Sequence, residues 1–274
     1  MNASPVVSRR ERVGALSEGC VHVWRASTAR ANLRPFTEIL SAEELGRAER
    51  FFFERDRRAF VVCRGTLRKL VSLYTGEDAR KVQFCVSAFG KPGMQNTKVP
   101  DLRFNVSHSG QIALLAFSLN QEIGVDVEFK RADVDFAGLA ATSFAPDECA
   151  AIAGCDPAER ASLFYEIWTR KEASIKADGR GLSVPLEQFS VNGNRIAFQW
   201  REISTAASHV LPGGMWSRVV DVPADYAAAI ARSVAVRQVF QWTVGFENRG
   251  VVRPHSHPSE LARAEYAVPG AERA

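Results

Sequence analysis

The sequence predicts an α+β fold, in which helices alternate with short strands that are mostly joined by hairpins. Two long segments, residues 60–74 and 163–175, carry apolar side chains at helical spacing, and a glycine follows each of them. Shorter segments of alternating or continuous apolar residues surround these helices and are bounded by turn residues. This pattern indicates small antiparallel sheets packed against helices.

The composition is that of a globular chain with a sizeable core: 274 residues, of which 46% are apolar and 24% charged. The net charge of +4 permits an anionic ligand, but nucleic-acid binders usually concentrate positive charge in a patch, so we expect no nucleic-acid partner. No apolar run approaches the roughly 18 residues of a membrane span, and the first residues lack the apolar segment of a signal peptide. We therefore expect a cytoplasmic protein without a membrane partner.

The cysteines also indicate a reducing compartment. They are five in number, which is odd, and no two of them form a CxxC pair. This pattern argues against a disulfide framework and against a structural zinc site.

The predicted elements follow one another along the chain. Ser41 and Glu44 form a capping-box pattern that begins a helix, which we expect to carry residues 51–53. The first 19 residues and residues 244–274 are polar and are expected to be flexible. A turn at 192–194 is expected to join two strands. The predicted strands are residues 21–24, 82–86, 102–106, 112–119, 123–128, 189–191, 196–200, 215–220, 226–231 and 234–242.

The helix that contains residues 163–175 is the first candidate for chemistry. Asp156 is its predicted N-cap and Pro157 its first residue, and Gly179 is expected to end it. Glu172 and Lys176 are one turn apart and share a face. Taken alone, such a pair is also typical of an ordinary surface ion pair.

The strand at residues 123–128 is the second candidate. Asp126 and Glu128 are two residues apart and point to the same side, about 7 Å apart at the backbone. Carboxylates without nearby His or Cys favour Mg²⁺ over zinc, and Mg²⁺ completes its coordination with water and substrate phosphate. Taken alone, two acids on a strand are also typical of an exposed sheet edge.

Resemblance to a known family comes from four segments that occur in order: GKPG, FNVSHSG, IGVDVE and WTRKEASIKADGRGL. Together they resemble the Sfp-type 4′-phosphopantetheinyl transferases, over about residues 20–243. The resemblance implies a pseudo-twofold α+β fold of two similar halves, here residues 20–120 and 121–243, with coenzyme A (CoA) bound between them. It also implies transfer of the phosphopantetheine arm of CoA to a serine of an acyl, peptidyl or polyketide carrier protein, with release of adenosine 3′,5′-bisphosphate.

The same resemblance implies a role for each candidate residue. Asp126, Glu128 and Glu172 would hold Mg²⁺ on the pyrophosphate, and Glu172, or a water that it orients, would accept the proton of the carrier serine. Lys176 would lie near the pyrophosphate and the leaving oxygen. The remaining CoA-binding residues would be Lys91 and Pro92 at the adenine end, and Ser107, His108 and Arg47 at the 3′-phosphate.

In one position the chain departs from the family pattern. An arginine usually precedes the residue that matches Phe60, but here that position is Ala59, and Arg57 and Arg58 lie just before it. We expect Arg58 to contact the 3′-phosphate.

Two other functions use the same residues. A Mg²⁺-dependent phosphodiesterase or pyrophosphate hydrolase would use the same carboxylates with water as the nucleophile. A CoA-binding module would bind the nucleotide without modifying a carrier. Of the three, the sequence favours the transferase, which we expect to be a monomer as family members commonly are.

Overall fold

A computed structural model describes residues 16–29, 31–95, 99, 101–191, 198–205, 210, 211, 214–246 and 252–255. The helices are α1 (Arg34–Thr37), α2 (Ala42–Glu49), α3 (Glu54–Thr75), α4 (Phe136–Ser143), α5 (Pro146–Gly154) and α6 (Pro157–Asp178). The strands are β1 (Cys20–Ser27), β2 (Phe84–Val86), β3 (Pro92–Met94), β4 (Leu102–Ser109), β5 (Ile112–Leu119), β6 (Ile123–Phe129), β7 (Phe189–Ser190), β8 (Arg201–Glu202), β9 (Ser204–Thr205), β10 (Trp216–Val219), β11 (Tyr226–Arg232), β12 (Gln238–Phe246) and β13 (Val252–His255).

The strands form two larger sheets. The first has the order β13-β12-β1-β5-β4 and the second the order β6-β11-β10-β8, while β2 pairs with β3 and β7 with β9. Neighbouring strands are antiparallel except β1 and β12, which are parallel. Among the described residues, none of the helices combines the length and apolar character that crossing a bilayer requires.

The two halves of the chain repeat one topology. In each half a strand is followed by helices and then by two antiparallel strands, which gives the orders β1-β5-β4 and β6-β11-β10. The last helix of each half, α3 or α6, has 22 residues and ends at a glycine with positive φ, 71° at Gly76 and 91° at Gly179. Positive φ suits glycine because it has no Cβ. The predicted two-half α+β fold is therefore confirmed.

The core lies between the two sheets and beneath the two long helices. Alternate residues of β6 and β11, among them Val125 and Ile230, pack against Val23 and Leu114 of the first sheet. Helix α3 covers the other face of the first sheet, and α6 covers the other face of the second. Since strand residues alternate between faces, the remaining side chains of β6 point toward α6.

The helix boundaries follow their caps, with one exception. The predicted capping box of Ser41 and Glu44 is present, and Asp156, Pro157 and Gly179 bound α6 as predicted. The prediction that residues 51–53 continue α2 was wrong, because α2 ends at Glu49 and α3 begins at Glu54. Three consecutive aromatics cannot all face the core from one helix: Phe51 packs on Phe60, whereas Phe52 is 91% exposed.

The end of the described chain returns to the first half. Strand β12 pairs with β1 over seven residues, from Cys20 opposite Gln238 to Ala26 opposite Val244. Strand β13 then pairs with β12, so part of the segment predicted as a flexible tail is a strand. The predicted strand at 196–200 is not a strand in its described part, and β8 begins at Arg201 instead. The predicted turn at 192–194 lies outside the described residues.

Candidate active site

Two carboxylates enter the site from β6. Ile123, Val125 and Val127 face the core between the sheets, so Asp126 and Glu128 lie on the opposite face, toward α6. Asp126 is only 2% exposed, and Glu128 is half-buried. Burial of one acid beside another on a strand favours a functional site over an exposed sheet edge.

Helix α6 brings Glu172 and Lys176 against the same strand. The helix lies so close to β6 that a Cβ at Gly124 would be 1.9 Å from the Ala173 carbonyl oxygen. This direct backbone contact places the face of α6 that carries Glu172 and Lys176 over Asp126. A glycine in β6 is therefore a requirement of the site's geometry.

Lys176 forms the central ion pair of the site. Its Nζ lies 2.6 Å from Asp126 Oδ1 and 3.2 Å from Ser107 Oγ. Ser107 in turn donates to the same Asp126 oxygen at 2.8 Å. The other oxygen, Asp126 Oδ2, is buried and has no hydrogen-bond partner.

The three acids have raised pKa values. Burial raises the pKa of Asp126, against the opposing effects of Lys176 and Ser107. Burial also raises the pKa of Glu128, with a further contribution from Asp126, while Ser109 and Lys176 act in the other direction. For Glu172 the pKa rises through burial and through the negative charges of Asp126 and Glu128. Repulsion between the carboxylates contributes to the raised pKa values of Glu128 and Glu172, and a further cation would relieve it.

These residues fit a magnesium ion. They offer hard oxygen ligands, and Asp126 Oδ2 is a buried carboxylate oxygen that lacks a partner. Among the described residues, no three His, Cys, Asp or Glu side chains converge closely enough to enclose an ion by themselves. An incomplete set of protein ligands is what Mg²⁺ commonly uses, because water and substrate phosphates supply the rest.

Comparison with known proteins identifies the family. A family model described as the 4′-phosphopantetheinyl transferase superfamily matches residues 122–231, and one described as 4′-phosphopantetheinyl transferase, N-terminal, matches residues 22–120. The 4′-phosphopantetheinyl transferase HetI of Nostoc sp. is 34% identical over 174 residues, which are 62% of this chain and 73% of HetI. The chain belongs to the 4′-phosphopantetheinyl transferase superfamily.

A second relative of this transferase is the 4′-phosphopantetheinyl transferase Sfp of Bacillus subtilis. The two are 32% identical over 156 residues, which are 57% of this chain and 67% of Sfp. The resemblance that the four sequence segments indicate is therefore confirmed, and the protein is a 4′-phosphopantetheinyl transferase.

The residues predicted for the 3′-phosphate of CoA lie in different surroundings in this transferase. His108 is exposed at the end of β4, and its pKa is lowered by partial desolvation and by the charge of Lys176. The hydroxyl of Ser107 is engaged with Asp126 and Lys176. Arg47 is exposed above the ring of Phe60, and Arg58 donates to the Ala31 carbonyl oxygen at 2.9 Å. Their roles toward CoA stay predictions.

Lys91 and Pro92 line a cavity of about 490 Å³ beside the end of α6. The Lys91 side chain is 13% exposed and reaches the second half: its ammonium lies 2.5 Å from Glu122 Oε2 and 3.2 Å from the Ala177 carbonyl oxygen. This bridge holds the turn of the first half against the end of α6. Leu102, Phe104 and Gly179 also line the cavity.

A buried ion pair between α5 and α6 lies next to the site. Lys171, which precedes Glu172, lies 2.7 Å from Glu148 of α5, and both side chains are fully buried. Lys171 also donates to the carbonyl oxygens of Leu186 and Phe189. These contacts anchor α6 to the rest of the second half. A lysine adjacent to a functional acid is the only sequence signal that pointed here.

Proposed function

We propose that this transferase moves the 4′-phosphopantetheine arm of CoA to a serine of an acyl, peptidyl or polyketide carrier protein, in a reaction that requires Mg²⁺. The observation that carries the proposal is the arrangement at the β6–α6 contact. There, the Lys176 ammonium pairs with Asp126, the charges of Glu128 and Glu172 act on the same cluster, and a buried oxygen of Asp126 has no partner. Such a site suits a cation bound to the pyrophosphate of CoA.

The three carboxylates would hold the metal, which, when bound, neutralises the charge of the pyrophosphate. Transfer then forms a bond from the serine oxygen to the phosphorus of the phosphopantetheine. The bond from that phosphorus to the bridging oxygen breaks, and the leaving group is adenosine 3′,5′-bisphosphate. This chemistry asks the protein mainly for positioning and for charge neutralisation.

Glu172 and Lys176 would handle the proton and the leaving group. Glu172, or a water that it orients, accepts the serine proton, and its raised pKa makes it a better proton acceptor than an ordinary glutamate. Lys176 stabilises the negative charge of the leaving oxygen. Both roles fit their places on one face of α6, because that face is directed toward Asp126.

The nucleotide end of CoA would extend toward the first half. We assign the adenine to the cavity beside Lys91 and Pro92, whose apolar walls suit a base. His108 and Arg47, both exposed, would contact the 3′-phosphate together with Arg58 and Ser107. Arg58 Nη2 donates to the carbonyl oxygens of Ala29 and Ala31, so its other N–H groups would be the donors to the phosphate.

The experiment that tests this proposal compares CoA alone with CoA and an apo-carrier protein. The full chain is incubated with Mg²⁺, and chromatography measures adenosine 3′,5′-bisphosphate. We expect release only when an apo-carrier with its serine is present. Equal release from CoA alone would instead show a hydrolase, and CoA binding without any release would show a binding module. Fatty-acid, polyketide and non-ribosomal peptide carriers should each be tried.

A further inference from the structure

Strand β4 contacts β6 through side chains. Within the described chain, β4 is one edge strand of the first sheet and β6 is one edge strand of the second. Three polar side chains of β4 lie on one face, two residues apart, and each accepts a backbone N–H of β6. The contacts are Asn105 with Val125 at 3.0 Å, Ser107 with Val127 at 3.4 Å and Ser109 with Phe129 at 3.1 Å. These bonds bring the two halves together beside the site.

The two serines have a second partner. Ser107 donates its hydroxyl to Asp126 and Ser109 donates to Glu128 Oε2, both at 2.8 Å. A hydroxyl has one hydrogen to donate and can accept others, so each serine binds a β6 N–H and a β6 carboxylate together. Asn105 accepts the N–H of Val125. The residue before Val125 is Gly124, which has no carboxylate, so Asn105 has no second partner of this kind.

Glu128 depends on Ser109 more than Asp126 depends on Ser107. Asp126 is held by Lys176 as well as by Ser107. Within the described chain, the Ser109 hydroxyl is the only group that hydrogen-bonds the Glu128 carboxylate. The bond occupies Oε2, which leaves Oε1 for a ligand.

We propose that Ser109 is a positioning residue, which fixes the Glu128 carboxylate for the metal while it joins β6 to β4. The proposal rests on the proposed function, in which Glu128 is a magnesium ligand. A group that orients a metal ligand typically contributes about 10- to 100-fold to metal affinity or activity. Ser109 therefore acts through Glu128 and does not touch the substrate.

The test measures Mg²⁺ binding by calorimetry, on the full chain with CoA present and no carrier. We expect Ser109→Ala to raise the Kd for Mg²⁺ by about 10-fold or more. The matched control is Asn105→Ala, which removes a β4–β6 hydrogen bond without touching a carboxylate, and it should leave the Kd near the wild-type value. Thermal unfolding of each variant reports any loss of the fold.

A second pair of variants keeps the test decisive if Ser109→Ala folds poorly. Ser109→Thr and Ser109→Val have nearly the same shape and differ in the hydroxyl. We expect Thr to retain most of the Mg²⁺ affinity and Val to lose it. Equal affinities for Thr and Val, or equal losses for Ser109→Ala and Asn105→Ala, would overturn the positioning role. Absence of Mg²⁺ binding by the wild type would instead overturn the proposed function itself.

Discussion

Lys176 carries the positive charge beside the three acids of the site, and in the proposed reaction it stabilises the leaving oxygen. It lies 2.6 Å from Asp126, and its charge lowers the pKa values of Asp126, Glu128 and Glu172 against the effect of burial. We expect Lys176→Met to lower kcat more than it raises KM for CoA, because charge on the leaving oxygen develops only in the transition state. Steady-state kinetics with varied CoA measures this, with Lys81→Met as the exposed control. A change confined to KM would contradict the role.

His108 provides a test of the nucleotide end. A hydrogen bond to a charged group contributes about 1.5–3 kcal/mol, so His108→Ala should lower kcat/KM for CoA by about 10- to 150-fold. The same change should matter little with dephospho-CoA, which lacks the 3′-phosphate. The measurement is a cycle of wild type and variant, each with both substrates. An equal loss with both would mean that His108 does not bind the 3′-phosphate.

The buried His22 should make the stability of the fold depend on pH. The side chain is fully buried, Nδ1 lies 2.8 Å from the Tyr74 hydroxyl, and Nε2 has no partner. Burial lowers its pKa to about 4, below the 6.5 of an exposed histidine. The unfolded chain therefore takes up the proton first as pH falls, and stability is full above about pH 6.5 and declines toward pH 4.

Between pH 7 and pH 5 this effect amounts to about 2 kcal/mol of unfolding free energy. We expect His22→Phe to remove about that much of the pH dependence, whatever its effect on stability at pH 7. Denaturant unfolding at both pH values measures it. If wild type and variant lose the same free energy between pH 7 and pH 5, His22 is not the titrating group.

At the scale of elements, the contact between β6 and α6 depends on Gly124. A Cβ there would lie 1.9 Å from the Ala173 carbonyl oxygen and 2.5 Å from the Ala177 nitrogen, and backbone atoms cannot rotate away. We expect Gly124→Ala to destabilise the fold by about 1–3 kcal/mol or more and to reduce activity beyond the loss of folded protein, because Asp126 and Glu172 move apart. Thermal unfolding and the transfer rate measure the two effects.

Gly46 in α2 is the control, since a Cβ there meets nothing within 4 Å. Alanine should stabilise α2 there by up to about 1 kcal/mol. If Gly124→Ala were as harmless as Gly46→Ala, the close packing of α6 on β6 would not be what holds the site together.

Local sequence signals made the long helices predictable. Features that depend on contacts between distant residues could not be predicted. Asp156, Pro157 and Gly179 each satisfy a helix end through neighbouring residues, so their pattern predicts α6 closely. The shared face of Asp126 and Glu128 follows from strand periodicity alone. By contrast, the end of α2 depends on how Phe51 packs on Phe60, and the bonds of Ser109 join residues 19 and 20 positions apart. No local pattern encodes such contacts.

For the whole molecule, the repeated halves explain where the site lies. Their sheets pack face to face, and the edge strands β4 and β6 meet where side chains from both halves surround Asp126. The pairing of β12 with β1 joins residues more than 200 positions apart, and the sequence alone does not reveal it. The two-half arrangement was predicted from the family resemblance. Three expectations stay predictions: the boundaries between the halves, the monomeric state and the compartment.

We propose that the carboxylates at the β6–α6 contact carry out transfer to a carrier serine. Intact-mass spectrometry of an apo-carrier tests it, after incubation with CoA, saturating Mg²⁺ and either wild type or Glu172→Gln. The glutamine keeps the size of the side chain and removes the charge and the proton acceptor. We predict that wild type adds one phosphopantetheine arm to the carrier, that a carrier with serine replaced by alanine gains nothing, and that Glu172→Gln is inactive. If Glu172→Gln modifies the carrier as fast as wild type, Glu172 does not act as the proton acceptor in the transfer.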